Sequence, residues 1–69
     1  MPKLRVFSGA ALCDLLTEQG FHLVRQRGSH AIMSRGTISF PVPLHREVDQ
    51  GTLGAIIRQS GLPRSLFET

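Results

Sequence analysis

The side chains best suited to chemistry in this 69-residue sequence are histidines, and His30 stands out among them by its neighbours. Gly28 and Ser29 come directly before it, and Arg25 and Arg27 precede it at nearby alternate positions. An imidazole with a pKa of about 6.5 can take up or release a proton near neutral pH, and guanidinium groups bind phosphate. The pattern is compatible with acid–base catalysis on a phosphate-containing substrate. A lone histidine on a strand is more often an ordinary surface residue, so the pattern by itself leaves both interpretations open.

The remaining reactive residues form weaker patterns. His45 is a possible helper in catalysis, although a histidine in a loop is more often simply exposed, and His22 is expected to have no chemical role. Cys13 falls inside a predicted helix, where a buried small apolar side chain is the usual interpretation. The cysteine and histidines show no spacing typical of metal ligands, so we expect neither a metal ion nor another cofactor. Ser29 adjoins His30 in sequence and no aspartate is placed to orient the ring, which disfavours a serine nucleophile.

The composition is that of a small basic protein with a single core. Seven arginines and one lysine stand against five acidic residues, giving a formal charge of +3 that makes a polyanionic partner plausible. Four phenylalanines without tryptophan or tyrosine argue against a stacking platform for single-stranded nucleic acid. A chain of this length forms one domain and buries roughly 60% of its unfolded surface, so we expect its stability to be marginal or assisted by a partner.

Redox and targeting signals favour the cytoplasm. A single cysteine cannot form an internal disulfide, which fits a reducing compartment. Residues 4–16 are apolar enough to suggest a signal sequence, but Arg5 interrupts them and no small-residue cleavage site follows. No stretch approaches the roughly 20 apolar residues that a membrane span needs. We therefore expect a soluble, cytoplasmic protein.

Capping signals and apolar periodicity predict two helices. The first begins with Ser8 as its N-cap, repeats leucines at helical spacing and ends before Gly20. The second begins within residues 49–52 and stops at residues 61–63, where a glycine and a proline end it.

Three short strands are predicted between these helices, over residues 21–27, 30–34 and 37–42. The turn signals that separate them are Gly28-Ser29 and Arg35-Gly36, and the strand segments are rich in β-branched and apolar residues. The strands therefore form an antiparallel sheet joined by two hairpins.

Two-residue loops at both turns predict the register of this sheet. Met33 then faces Ile38, Ala31 faces Phe40 and Val24 faces Met33, which makes one apolar face. The opposite face carries a mixed polar set, with His30 across from Arg27: Arg25, Arg27, His30, Ile32, Ser34, Thr37 and Ser39. Leu23 also falls on this polar face, and a slip of one residue would reverse every assignment.

The order of elements predicts an α+β fold with the sequence α-β-β-β-α. Both helices can cover the apolar face of the three-stranded sheet, giving two layers and leaving the polar face open. Pro41 and Pro43 lack backbone donors, which places the third strand at an edge. The same order is used by double-stranded-RNA-binding domains, but topology alone does not establish function.

Short motifs in a fixed order give the sequence its most specific signal. The central one is Val24-Arg25-Gln26-Arg27-Gly28-Ser29-His30, preceded by Gly20-Phe21. Further segments follow in order: Val42-Pro43 with His45, Gly51-Thr52-Leu53, Ile56-Ile57-Arg58-Gln59 and Gly61-Leu62. Together they resemble the HicA (YcfA-like) family of mRNA interferase toxins over a core of about residues 6–62, within a single domain that spans residues 1–69.

This resemblance implies a fold like that of double-stranded-RNA-binding domains, ribosome-independent cleavage of mRNA, and neutralisation by a HicB antitoxin that covers the active site. The family's catalytic histidine corresponds to His30. The expected RNA-binding residues are Arg25, Arg27, Gly28, Ser29 and Arg35. We accordingly predict a metal-independent endoribonuclease, the toxin of a type II toxin–antitoxin system, with His30 as acid or base, His45 as a possible helper and a HicB-like antitoxin as partner.

Two other functions stay open at this point. A domain of this fold could bind RNA through phosphate and 2′-hydroxyl contacts without cleaving it, which would leave the placement of His30 behind its Gly-Ser turn without a use. Alternatively, the chain could be an inactive toxin that is retained only for binding its antitoxin. Cleavage of RNA that depends on His30 separates both from the enzyme.

Overall fold

The computed structural model of the protein describes residues 3–69. Its elements follow the predicted α-β-β-β-α order, with one short 3-10 helix added at the end: α1 (Gly9–Glu18), β1 (His22–Arg27), β2 (His30–Arg35), β3 (Ile38–Pro43), α2 (Gln50–Ser60) and the 3-10 helix Arg64–Phe67. The strands form one antiparallel sheet in the order β1-β2-β3, so β3 is an edge strand as predicted. Within the described range, no helix has the length and apolar character needed to cross a membrane.

Both helices begin at side chains that cap them. The Ser8 hydroxyl accepts a hydrogen bond from the Ala11 amide at 3.1 Å, which confirms the predicted start of α1. The Asp49 carboxylate accepts from the Thr52 amide at 3.1 Å and from the Thr52 hydroxyl at 2.7 Å. These bonds, above all the one from the hydroxyl, hold the pKa of the Asp49 carboxyl below its ordinary value. With Asp49 as its N-cap, α2 begins at Gln50, which lies within the predicted range of residues 49–52.

The second hairpin differs from the predicted register. Its loop is Gly36-Thr37 and not Arg35-Gly36, because a type II′ turn needs a positive φ at its first loop position and Gly36 supplies it with a φ of 60°. Met33 consequently pairs with Phe40 and not with Ile38. Ala31 pairs with Val42 for the same reason, and Thr37 lies in the turn. The shift is two residues. Because side chains alternate with a period of two, all the side chains that remain in β3 keep their predicted faces.

A β-bulge at Val24 changes the predicted register of the first hairpin. Arg27 pairs with His30 as predicted, but the pairing shifts between Leu23 and Arg25, so that Leu23 and not Val24 lies opposite Met33. A bulge adds one residue to one strand and thereby moves the residues beyond it to the other face of the sheet. The predicted position of Leu23 on the polar face is therefore wrong: the bulge brings it to the side that the helices cover.

The core lies between the sheet and the two helices. It is formed by apolar side chains from both helices, β2, β3, the 3-10 helix and the connecting segments: Phe7, Leu12, Leu16, Phe21, Met33, Phe40, Val42, Val48, Leu53, Ile56, Ile57 and Phe67. Phe21 and Phe40 contact each other with ring centroids 5.4 Å apart. The predicted apolar face of the sheet is therefore the buried one.

The 3-10 helix brings an unpredicted aromatic residue into this core. Phe67 has no solvent exposure, and its ring meets that of Phe7 edge-on at a centroid distance of 5.9 Å. The backbone supports the contact, since Leu4 pairs with Glu68 and the Arg5 amide donates to the Phe67 carbonyl at 2.8 Å. The segment after α2 thus ties the first and last described residues together.

The first turn of α1 packs directly on the chain that leaves β3. The Gly9 amide donates to the His45 carbonyl at 2.9 Å. A Cβ atom added at Gly9 would lie 2.6 Å from the Cα of Leu44 and closer still to the carbonyl oxygen of Pro43. Both neighbours are backbone atoms, so no rotation of a side chain can make room. A residue without a side chain is required here.

We expect Gly9→Ala to lower the free energy of unfolding by about 3 kcal/mol, because the helix must separate from the end of β3. Gly54→Ala is the matched control. The nearest atom to an added Cβ there is a guanidinium nitrogen of Arg58 at 3.6 Å, and alanine is the better helix former by about 1 kcal/mol. Urea unfolding measures both variants. Equal stability of Gly9→Ala and the parent protein would contradict the close packing.

Candidate functional site

The sheet has one face that no helix covers. The register places the following residues on it: His22, Arg25, Arg27, His30, Ile32, Ser34, Ser39, Pro41 and Pro43. The arginines and His30 are exposed, whereas the alternate residues of β2 and β3 are largely buried under the helices. We call this surface the open face. It is polar and positively charged, and it contains the predicted site residues of β1 and β2.

His30 lies on the central strand of the sheet, at the end next to the first hairpin. Its backbone is paired on both sides, with Arg27 of β1 and with Pro43 of β3. The imidazole itself is exposed. A side chain on a doubly paired strand has a fixed origin while its end stays accessible, which suits a group that must meet a substrate in one geometry.

Two arginines of β1 lie beside this histidine. Arg27 is its cross-strand neighbour, and Arg25 follows on the same face opposite Ile32. Directly opposite residues in an antiparallel pair have Cα atoms about 5.5 Å apart when hydrogen bonded, so a guanidinium and an imidazole there can reach one phosphate group. Both arginines are exposed, and their one-sided placement gives the open face its positive charge.

The turn before His30 is fixed to the chain after β3. Gly28 has a φ of 57°, as the first position of a type II′ turn requires, and Ser29 completes the two-residue loop. The Ser29 carbonyl accepts a hydrogen bond from the Leu44 amide at 2.6 Å. This bond continues the β2–β3 pairing beyond the strand ends and places His45, an exposed residue, at the same end of the sheet as His30.

Arg35 does not lie on the open face. Its guanidinium donates to the carbonyl oxygens of Gln19 at 2.8 Å and Ser60 at 3.4 Å, and it lies over the ring of Phe21 at 4.7 Å. The two carbonyls stand at the C-terminal ends of α1 and α2, where helices leave acceptors unpaired and favour positive charge. The register explains this position, because Arg35 follows Ala31 and Met33 on the covered side. The geometry gives Arg35 a structural role at the C-terminal ends of the two helices.

A comparison with protein-family models matches residues 9–62 to the model described as the HicA toxin of bacterial toxin–antitoxin systems. The match spans the start of α1 to the end of α2 and includes the whole sheet. The chain belongs to the HicA toxin family. No curated protein and no solved structure matches the chain significantly. Membership in the HicA family makes the chain a toxin by descent and implies a cognate antitoxin.

The open face of this HicA-family chain brings together groups that can transfer protons and groups that can bind phosphate. His30, Arg25 and Arg27 come together on the open face, while His45 reaches the same end of the sheet through its loop. Across residues 3–69, no group of three or more histidine, cysteine or acidic side chains lies close enough to hold a metal ion. The chemistry that this arrangement offers is proton transfer beside a bound phosphate.

Some residues that shape the HicA site gave a weak signal in the sequence or none. Gly9 holds α1 against the end of β3, and its only signal is a glycine in the first turn of a helix, where alanine is more stable. Leu44 contributes a backbone amide, which carries no signature in its side chain. Cys13 was expected to be buried in α1 and is half-buried there.

Stability measurements can distinguish the structural role of Arg35 from the exposed position of Arg27 on the open face. Arg35→Met keeps the aliphatic stem but leaves two helix-end carbonyls without their partner, and we expect the free energy of unfolding to fall by about 1–3 kcal/mol. Arg27→Met is the matched control on the open face and should change it by no more than about 0.5 kcal/mol. Thermal unfolding of both variants gives the comparison. Similar losses in the two would contradict the structural role of Arg35.

Proposed function

We propose that this HicA-family chain is a metal-independent endoribonuclease that cleaves mRNA, with His30 as its acid or base. The observation that carries the proposal is the position of His30: exposed on the central strand, opposite Arg27, and behind a Gly28-Ser29 turn that is tied to the end of β3. Family membership supports the toxin role. The cationic neighbours Arg25 and Arg27 on the same face distinguish His30 from an ordinary surface histidine.

The proposed reaction uses the ribose of the substrate as the nucleophile. The 2′-oxygen bonds to the adjacent phosphorus while the bond from phosphorus to the 5′-oxygen breaks, leaving a 2′,3′-cyclic phosphate and a 5′-hydroxyl. One proton leaves the 2′-oxygen and one joins the 5′-oxygen. His30 carries out one of these transfers as general base or general acid. His45 is the candidate for the other, because its loop begins where Leu44 contacts the His30 turn.

Arg25 and Arg27 supply the electrostatic part of the mechanism. The phosphorane gains negative charge as the new bond forms, and a guanidinium across the strand from His30 can hydrogen bond to that charge. The second guanidinium binds a neighbouring phosphate and positions the chain. Gly28 carries no side chain, and nothing lies within 4 Å of where a Cβ would be, so an RNA backbone can approach the turn closely.

We propose that a HicB-like antitoxin silences the toxin by covering the His30 face. The open face is the one broad basic surface among the described residues of the sheet, and blocking RNA there is the most direct route to inhibition. Acidic or hydrogen-bonding groups of the antitoxin opposite Arg25 and Arg27 would also make association fast.

His30→Ala should abolish growth arrest and RNA cleavage while leaving the circular-dichroism spectrum and melting temperature nearly unchanged, because an exposed side chain contributes little to stability. His22→Ala, which removes a histidine from the far end of the same face, is the matched control and should stay active. Unfolding of His30→Ala would make this residue structural. A His30→Ala protein that still cleaves RNA would show that cleavage does not depend on this histidine, whereas a parent protein that binds RNA without cleaving it would favour the binding module.

EDTA should leave cleavage unchanged, and the products should carry a 2′,3′-cyclic phosphate or the monophosphate formed by its hydrolysis. The pH profile then assigns the role of His30: activity falls at low pH if the imidazole is a base and at high pH if it is an acid. Loss of cleavage in EDTA that a divalent ion restores would overturn the metal-free mechanism.

RNA binding by the inactive His30→Ala protein should weaken steeply with salt, because phosphate contacts release counterions. Adding Arg27→Ala should reduce the slope of log affinity against log salt by about one. Arg64→Ala removes an exposed arginine that pairs with Glu68 away from the sheet, and it should leave the slope unchanged. An unchanged slope in Arg27→Ala would place that arginine outside the RNA interface.

A further inference from the structure

The two edges of the sheet are not equivalent. In an antiparallel sheet, residues alternate between pointing their backbone groups at the neighbouring strand and away from it. Arg35 and Ile38 flank the second turn as a hydrogen-bonded pair, which directs Ser39, Pro41 and Pro43 outward on β3. Two of these three outward positions are prolines, which have no N–H to offer. The edge at β3 is therefore poorly able to accept another strand.

The edge at β1 carries no such protection. Arg27 and His30 flank the first turn as a hydrogen-bonded pair, so the backbone N–H and C=O of Gln26 point away from the sheet. No residue of β1 is a proline, and the side chains of Leu23 and Val24 are 55% and 54% exposed. An exposed edge with apolar side chains is a template for pairing with another chain.

A groove runs beside this edge on the covered side of the sheet. Its volume is about 340 Å³, and it lies between β1 and one flank of α1. Leu23 and Gln26 line it from β1 and Ala31 and Met33 from β2. Its α1 side carries Cys13 together with the polar residues Asp14 and Thr17. The groove is thus mostly apolar and continuous with the unpaired edge.

The thiol in the groove wall adds no charge. Burial, and after it the carboxylate of Asp14, raise the pKa of Cys13 above its ordinary value. The thiol therefore stays neutral at pH 7 and behaves as a small apolar group. On the other side of the same strand, Arg25 and Arg27 project from the open face. A strand added at β1 would meet a mostly apolar groove on one side, with Asp14 at its α1 wall, and positive charge on the other.

We propose that β1 accepts an extended segment of the cognate antitoxin as a fourth strand of the sheet. This segment alternates apolar residues, which enter the groove at Leu23, with acidic residues, which pair with Arg25 and Arg27. Main-chain hydrogen bonds to Gln26 supply affinity, and the two-sided pattern supplies specificity, as in other cases of strand addition. The identity of the partner rests on the proposed function, whereas the edge and the groove are features of this chain alone.

Charge and surface chemistry select this occupant over two others. A second copy of the chain paired through β1 would bring Arg25 and Arg27 of both copies onto one face, where like charges repel. RNA would satisfy the arginines, but it has no groups that use an apolar groove and an unpaired strand edge together. An acidic and apolar protein segment satisfies all three features.

A fourth strand at this edge would also explain how inhibition reaches the active site. Arg27 is shared between the new strand and the His30 pair, so acidic groups that bind it compete with substrate phosphate. The antitoxin would then hold the toxin through the edge and deny it RNA on the open face.

Residue-resolved hydrogen exchange of the toxin, free and bound to its purified antitoxin, tests the pairing. The Gln26 amide should exchange rapidly in the free protein and become strongly protected in the complex, because its outward N–H gains a partner. The Ser39 amide, outward on β3, is the matched control and should keep its rate of exchange. A Gln26 amide that stays unprotected overturns the proposal, whatever happens on the open face.

Affinity measurements test the groove. Leu23→Asp should weaken antitoxin binding about tenfold or more, since a carboxylate enters an apolar contact. Val6→Asp, at a residue 72% exposed and outside the groove, is the matched control and should bind normally. Circular dichroism verifies that both variants fold. If Leu23→Asp unfolds, the exchange of Gln26 in the unmodified protein still decides the question.

The remaining outcomes separate this inference from the proposed function. Cleavage by Leu23→Asp should persist and should escape inhibition at antitoxin concentrations that silence the parent protein. If Leu23→Asp loses RNA binding but keeps antitoxin affinity, the edge belongs to the RNA interface and the proposal is wrong. A toxin dimer in sedimentation experiments that Leu23→Asp dissociates would assign the edge to a second copy. If His30→Ala still cleaves RNA, the proposed catalytic role of His30 is wrong, while the inference about the β1 edge is unaffected.

Discussion

The structure depends on the two tight turns that fix the register of the sheet. Gly28 and Gly36 each stand first in a two-residue loop and each have a positive φ, a conformation that non-glycine residues rarely adopt. Side chains alternate along a strand, so these two positions decide which residues reach the core. With this register, Met33 and Phe40 pack under the helices while His30 remains on the open face. The candidate site is a consequence of turn geometry.

Other contacts hold the surroundings of the site in place. The Leu44 amide bonds to the Ser29 carbonyl, and Gly9 lets α1 approach the same segment, so the turn before His30 is fixed to both β3 and α1. Arg35 joins the C-terminal ends of the two helices from the covered side. None of these contacts needs to touch a substrate. They hold a small domain together at the end that carries the exposed imidazole of His30, and a domain of this size has little stability in reserve.

The sheet offers two distinct surfaces, a face and an edge, for the two proposed binding partners, RNA and antitoxin. The face offers an exposed acid–base group and two guanidiniums, which suit RNA. The edge at β1 offers unpaired backbone groups and an apolar groove, which suit a protein strand. Arg25 and Arg27 belong to both surfaces. In the proposed complex, competition for the same charges would let the antitoxin displace substrate without a change in the fold of the toxin.

The order of elements, the cap at Ser8, a start of α2 within residues 49–52, the pairing of Arg27 with His30 and the family all follow from the sequence, because each depends on local chemistry or short motifs. Tertiary structure alone decided the places of Leu23, Arg35 and the segment after α2. A bulge costs little in local energy, and packing against the helices selects its position. A backbone contact such as that at Gly9 leaves no pattern in the sequence, since it exists only when two distant segments meet.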